Sequence, residues 1–164
     1  MKKFFFTLSF SAAILSSIAQ VKCNVNRAYA YFTVSIPGAQ IVDEKGDPVP
    51  PVPQVERFIY FEYNGKGKPK IDSVYYNKKP LAVTLSKVEG KEVTVGKKSE
   101  NERPTIIRAY KGGSVWRLDI LIANNNPQIA AACNDISIRL KTTGKICTYK
   151  IPGGETKLFS LPRY

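Results

Sequence analysis

The chain has no histidine. That absence removes the commonest general base and the commonest zinc ligand, and it excludes Ser-His-Asp and Cys-His nucleophile arrangements outright. Acids are scarce as well, 13 Asp and Glu against 25 Lys and Arg in 164 residues. They are scattered, and the densest group, Asp43, Glu44 and Asp47, lacks the ligand spacing of a calcium loop. No window of useful length carries a helical period. No glycine-rich phosphate loop stands between a strand and a helix, since Gly112-Gly113 sits between two strand-like runs. No cofactor, metal or catalytic set is therefore expected, and the sequence reads as non-enzymatic.

The first nineteen residues read as an export signal. Lys2 and Lys3 precede an apolar run from Phe4 to Ile18, and Ser17 and Ala19 place small residues where a signal peptidase reads. The run falls short of a membrane span, which needs about 18 or more apolar residues, so no transmembrane helix is expected in the mature chain. Lys22, directly before Cys23, disfavours a lipidated cysteine. The expected organisation is a signal over 1–19 and one domain over 20–164.

Export changes the meaning of the charge. The formal +12 becomes +10 once Lys2 and Lys3 leave. Outside the cytoplasm such a balance points away from nucleic acid and towards lipopolysaccharide, acidic glycans or acidic faces of proteins. Three cysteines, Cys23, Cys133 and Cys147, enter a compartment that permits disulfides. Cys133 and Cys147 bracket one hairpin and are the expected bridge; a bond involving Cys23 is the rival.

What is present is alternation. Ser114 to Ala123 carries the only tryptophan and puts Trp116, Leu118, Ile120 and Ile122 on one face of a strand. If Gly112-Gly113 is a two-residue turn, Ala109 lies opposite Trp116, Ile107 opposite Leu118, and Arg108 opposite Arg117. Arg27 to Ile36 turns Ala28, Ala30, Phe32 and Val34 to one side and tyrosine and threonine to the other. Glu56 to Tyr63 is apolar on both faces, as in a strand covered on both sides, and Ile71 to Tyr76 is expected to return as its antiparallel partner. Leu81, Val83 and Leu85 form an inward set. Ile136, Ile138 and Leu140 form another, answered across a turn by Cys147, Tyr149 and Ile151, and Thr156 to Leu161 is a last strand.

Two segments break the pattern. Asp43 to Pro53 is proline-rich and expected to be extended, laddering with nothing. Gln128 to Cys133 is the one place for a short helical turn. Together these spacings predict an all-β fold, an antiparallel β-sandwich of about 8–10 short strands in an immunoglobulin-like or jelly-roll arrangement with little helix.

Two groups of residues are candidates for binding. The cations Lys66, Lys68, Lys70, Lys78, Lys79, Arg108 and Arg117 would meet an anionic partner. Tyr29, Tyr31, Tyr60, Tyr63, Tyr75 and Tyr76 would bring large aromatic area at low entropic cost. The expected function is an exported binding or accessory protein of the bacterial cell envelope, periplasmic or associated with the outer membrane or released, and most simply a subunit of an envelope protein complex. The alternatives are a binder of lipopolysaccharide or acidic glycan, and an inhibitor of a secreted enzyme.

Overall fold

The structure, a computed structural model, describes residues 23–35, 41–49, 53–110, 112–121, 132–142 and 144–159. The expected export signal lies outside them, as does the expected helical turn over 128–133 apart from Ala132 and Cys133.

All regular structure among the described residues is β. The strands are β1 (Val25–Ser35), β2 (Ile41–Val42), β3 (Pro48–Val49), β4 (Gln54–Tyr63), β5 (Lys70–Tyr76), β6 (Lys79–Lys87), β7 (Glu92–Gly96), β8 (Thr105–Arg108), β9 (Ser114–Leu121), β10 (Ile136–Thr142), β11 (Lys145–Lys150) and β12 (Glu155–Leu158). Eight of them form one sheet in the order β11-β10-β5-β6-β9-β4-β1-β12, while β2-β3 and β7-β8 are two-stranded ribbons. The pairings are antiparallel except that β12 runs parallel to β1, which makes the large sheet mixed.

The large sheet curls over on itself. Ile59, Phe61, Trp116 and Leu118 from one half share a core with Val74, Ile136, Ile138 and Leu140 from the other. The corner is β6, whose first residues pair with β5 and whose remainder, from Ala82, pairs with β9. One strand thus passes between the two layers of a sandwich. Side-chain volumes match across the core face: Phe61 lies between Trp116 on β9 and the small Ala28 on β1.

A second core lies on the outer face of the same sheet. Tyr31, Phe58, Tyr60, Val115 and Leu158 are covered by Ile107 of the β7-β8 ribbon, with Val93 and Val95 beside it. This explains the strand that is apolar on both faces. Ile59 and Phe61 of β4 point into the main core and Phe58 and Tyr60 into the second, all buried.

The Gly112-Gly113 hairpin is not formed. β8 bonds to β7, and β9 bonds to β4 and β6. A turn closed by the Gly113 N–H on the Tyr110 carbonyl, 2.8 Å, carries the chain from the ribbon to the sheet beneath it. Ile107 and Ala109 then stack over the Val115 face of β9 instead of pairing beside it. Trp116, Leu118 and Ile120 gain a strand on each side by this choice, which a two-stranded hairpin cannot give; Leu118 lies between Ile59 and Leu85, Trp116 beside Phe61 and Ile120 beside Val83. Arg108 and Arg117 are consequently not opposed.

Three further expectations are corrected. β5 does not pair with β4; its neighbours are β6 and β10, because the turn after Tyr63 crosses one end of the sandwich to the other layer. The bridge is Cys23–Cys147, with Cα atoms 5.4 Å apart, and Cys133 is free and buried. Cys147 pairs across the β10-β11 hairpin with Leu140, well away from Cys133. The proline-rich stretch begins as a small ribbon, with Ile41 facing Val49 and Val42 facing Pro48. Asp43 organises its turn: Oδ1 accepts the N–H groups of Lys45 and Asp47, at 2.8 and 2.9 Å.

Candidate functional site

The sequence candidates separate into different parts of the molecule. Of the tyrosines, Tyr31 and Tyr60 belong to the second core and Tyr63 and Tyr76 to the main core. They are buried, and of the four only Tyr31 reaches the wall of the cleft described below. Tyr75 is half-buried, and its hydroxyl accepts a hydrogen bond from Arg139 at 3.0 Å. Tyr29 alone of the six is exposed, at 39%. The cations also divide. Lys78 and Lys79 stand at the β5-β6 turn, Lys68 and Lys70 at the far end of those strands, and Lys66 in the preceding loop, all exposed. Arg117 lies over the Phe58 ring, 4.7 Å from its centroid, and is held by Asp119 at 2.6 Å.

Two of the exposed candidates do meet. Tyr29 and Arg108 face one another across a cleft of about 370 Å³ between the β1-β12 edge of the large sheet and the β8 side of the ribbon. Arg27 enters from β1, two residues before Tyr29 and therefore on the same face. Lys98 enters from the loop after β7. The Tyr29 ring stacks on that of Tyr31, with centroids 6.5 Å apart and planes 23° apart, so the exposed ring rests on a buried one.

Thr105, Ile106, Pro152 and Thr156 complete the walls, together with a stretch of glycine backbone. Gly153 and Gly154 line the cleft with φ of +80° and +67°. A Cβ on Gly154 would lie 2.7 Å from the Cys133 carbonyl oxygen, so the loop can approach the segment before β10 only as glycine. The single acid in the lining, Glu62, is buried and accepts the Tyr110 N–H. Arg108 bonds Glu92 at 2.8 Å, with both side chains largely exposed. A pair so solvated holds weakly and leaves the guanidinium open to exchange for another anion. The cleft thus presents three cations and an exposed aromatic ring beside a glycine turn, and its one carboxylate is already engaged.

Away from the cleft, the main core holds an ion pair. Arg57 donates to Glu155 Oε2, with the side chains 5% and 0% exposed. The guanidinium lies 5.2 Å from the Phe32 centroid and 5.9 Å from that of Tyr76, and Glu155 also accepts the Cys133 N–H at 3.2 Å. No group of three or more Cys, Asp or Glu side chains is placed to hold a metal among the described residues. Nor, among them, is any helix long and apolar enough to cross a membrane.

No known protein family, curated protein or solved structure matches this chain. Its own geometry therefore carries the functional reading.

The buried tyrosines make stability sensitive to alkali. Burial, with Tyr29 and Tyr60 nearby, pushes the Tyr31 phenol up to about 12, and burial raises Tyr76 too. The folded state keeps these protons after the unfolded chain begins to lose them near pH 10. Stability should therefore be level up to about pH 9 and fall from pH 10 to 12, by up to ~1.4 kcal/mol per pH unit for each group. Urea denaturation at pH 9, 10 and 11 measures the slope. Tyr31→Phe should flatten it relative to the parent chain, and an unchanged slope would show that the phenol titrates alike in both states.

Proposed function

We propose that the chain is an exported, non-enzymatic binding protein of the bacterial cell envelope. It engages an anionic group of a partner protein in the cleft between β1, β12 and β8. The observation that supports this most directly is the convergence of Arg27, Lys98 and Arg108 around the exposed Tyr29. Arginine and lysine at a concave surface attract carboxylate or phosphate, and a rigid ring adds contact area at small entropic cost. The Cys23–Cys147 bridge fits an oxidising compartment, in keeping with the export signal.

A second reading, an acidic glycan as ligand, is favoured by the same Tyr29 ring, since a flat aromatic face beside cations suits a charged sugar. The test is retention of envelope extracts and of a purified acidic polysaccharide by the immobilised protein. Arg27→Ala with Lys98→Ala should weaken salt-sensitive binding about tenfold or more and leave the denaturation midpoint unchanged. Recovery of the native protein solely as a free monomer, with no retention of either class, would remove both readings. Retention of the polysaccharide alone would select the second.

A further inference from the structure

β5 and β6 form a ladder for only three pairs, Val74 with Leu81, Tyr75 with Pro80 and Tyr76 with Lys79. Beyond these the strands part. β6 follows β9 from Ala82 to Lys87. β5 stays with β10 to Lys70, through an irregularity that leaves Asp72 out of register. The wedge between them is an open groove of about 900 Å³, with Ile71 on one wall, Val83 and Leu85 on the other, and Lys68 and Lys70 at its mouth.

Both walls are strand edges. β10 backs one and β9 the other, so alternate N–H and C=O groups of each strand point into the groove. Ile71, Leu81, Val83 and Leu85 are half-buried against the main core and give the groove an apolar lining. Facing edges of this kind accept extended chain, because main-chain hydrogen bonds supply the pairing and side-chain positions the selectivity. We propose that this split takes an extended acidic segment of a partner protein as an inserted strand, completing the large sheet between β5 and β6.

Charge decides the occupant. Lys68 and Lys70 are exposed at the mouth, with Lys66 in the same loop. The one acid on the walls, Asp72, is engaged by Lys141 at 3.0 Å and Arg139 at 3.7 Å, leaving the rim net positive. A second copy of this chain fits poorly. Its edge strand β11 carries Lys145 and Lys150 and no acid, the acid of the other edge strand, Glu155 of β12, is buried with Arg57, and the chain without Lys2 and Lys3 is +10. A strand bearing carboxylates on alternate residues matches both the ladder and the rim.

This groove shares no residue with the cleft proposed above, so the two stand or fall separately. The test uses the full, disulfide-bonded protein and blocked heptapeptides. One alternates valine with glutamate, a second alternates valine with lysine, and a third repeats the first with every second amide N-methylated. Backbone amide exchange is the readout. The glutamate peptide should slow exchange across 70–73 and 82–87 by about tenfold or more, the other two should not, and Lys68→Glu with Lys70→Glu should weaken its binding about tenfold. Equal binding of the lysine peptide, equal binding of the N-methylated peptide, or no protection by the glutamate peptide at millimolar concentration overturns the proposal. So does full protection of 82–85 in the free protein, which would mean that its own chain fills the groove, or protection that vanishes on dilution, which would mean a second copy does.

Discussion

Cys147→Ser is expected to lower the unfolding free energy by about 3–5 kcal/mol. The bridge joins residues 124 apart in sequence, and closing a loop of that length in the unfolded chain accounts for up to about 5 kcal/mol at 25 °C. Its position adds a structural reason. β11 is an edge strand of the large sheet, and Cys23 directly precedes β1 near the other edge. The bond therefore fastens the two layers of the curled sheet where no ladder joins them. A hydrogen bond beside it runs from the Tyr149 hydroxyl to the Asn26 carbonyl, at a long 3.4 Å. Denaturant titration of the variant, and of the parent with and without reductant, measures the loss. A change under about 1 kcal/mol in both would show that the curl holds without the bridge. Cys133→Ala should keep the bond, and peptide mapping without reduction should recover Cys23 joined to Cys147.

The strands were legible in the sequence wherever one face alone is covered or both are. Ile136, Ile138 and Leu140 alternate because β10 has one face in the core and one in solvent, and all three are buried as expected. The apolar run at Glu56 to Tyr63 announces cover on both faces, and β4 has it. Neighbour relations were not legible. Parity states which face a side chain is on, and it cannot distinguish a strand lying beside another from one stacked over it. Ile107 and Ala109 satisfied the hairpin register with β9 as well as they satisfy the layer above it. The disulfide failed for a related reason, since closeness along the chain favoured Cys133 while the curl of the sheet brings Cys23 to Cys147.

The candidate cleft was half legible. Tyr29 and Arg108 stand out by type, and the sequence signal for Arg27 is its shared parity with Tyr29. Lys98 had none, because it reaches the cleft only through the folding of the ribbon over β1. The aromatic group misled: tyrosines dense on neighbouring strands can equally be interior packing, and Tyr31, Tyr60, Tyr63 and Tyr76 are.

The second large effect concerns Arg57 and Glu155, which meet from 98 residues apart. Glu155→Ala is expected to destabilise by about 3–5 kcal/mol, because it breaks a buried ion pair from one side and removes the carboxylate that offsets the desolvation of the guanidinium. Burial already lowers the Arg57 pKa, the direction of a cation held at a cost. The carboxylate is not fully satisfied either, since Glu155 Oε1 is buried and has no hydrogen-bond partner among the described residues. Replacing both groups with apolar side chains of similar size, Arg57→Met with Glu155→Leu, removes both desolvation costs and should return stability to within about 1–2 kcal/mol of the parent. The alternative is that the pair is needed to place β12. Glu155 is its first residue and sits opposite Ala30 in the one parallel pairing of the sheet. A double-mutant cycle by urea denaturation separates the two: recovery in the double variant assigns the single-mutant loss to the broken ion pair, and a double variant as unstable as Glu155→Ala assigns it to the anchoring of β12 against β1.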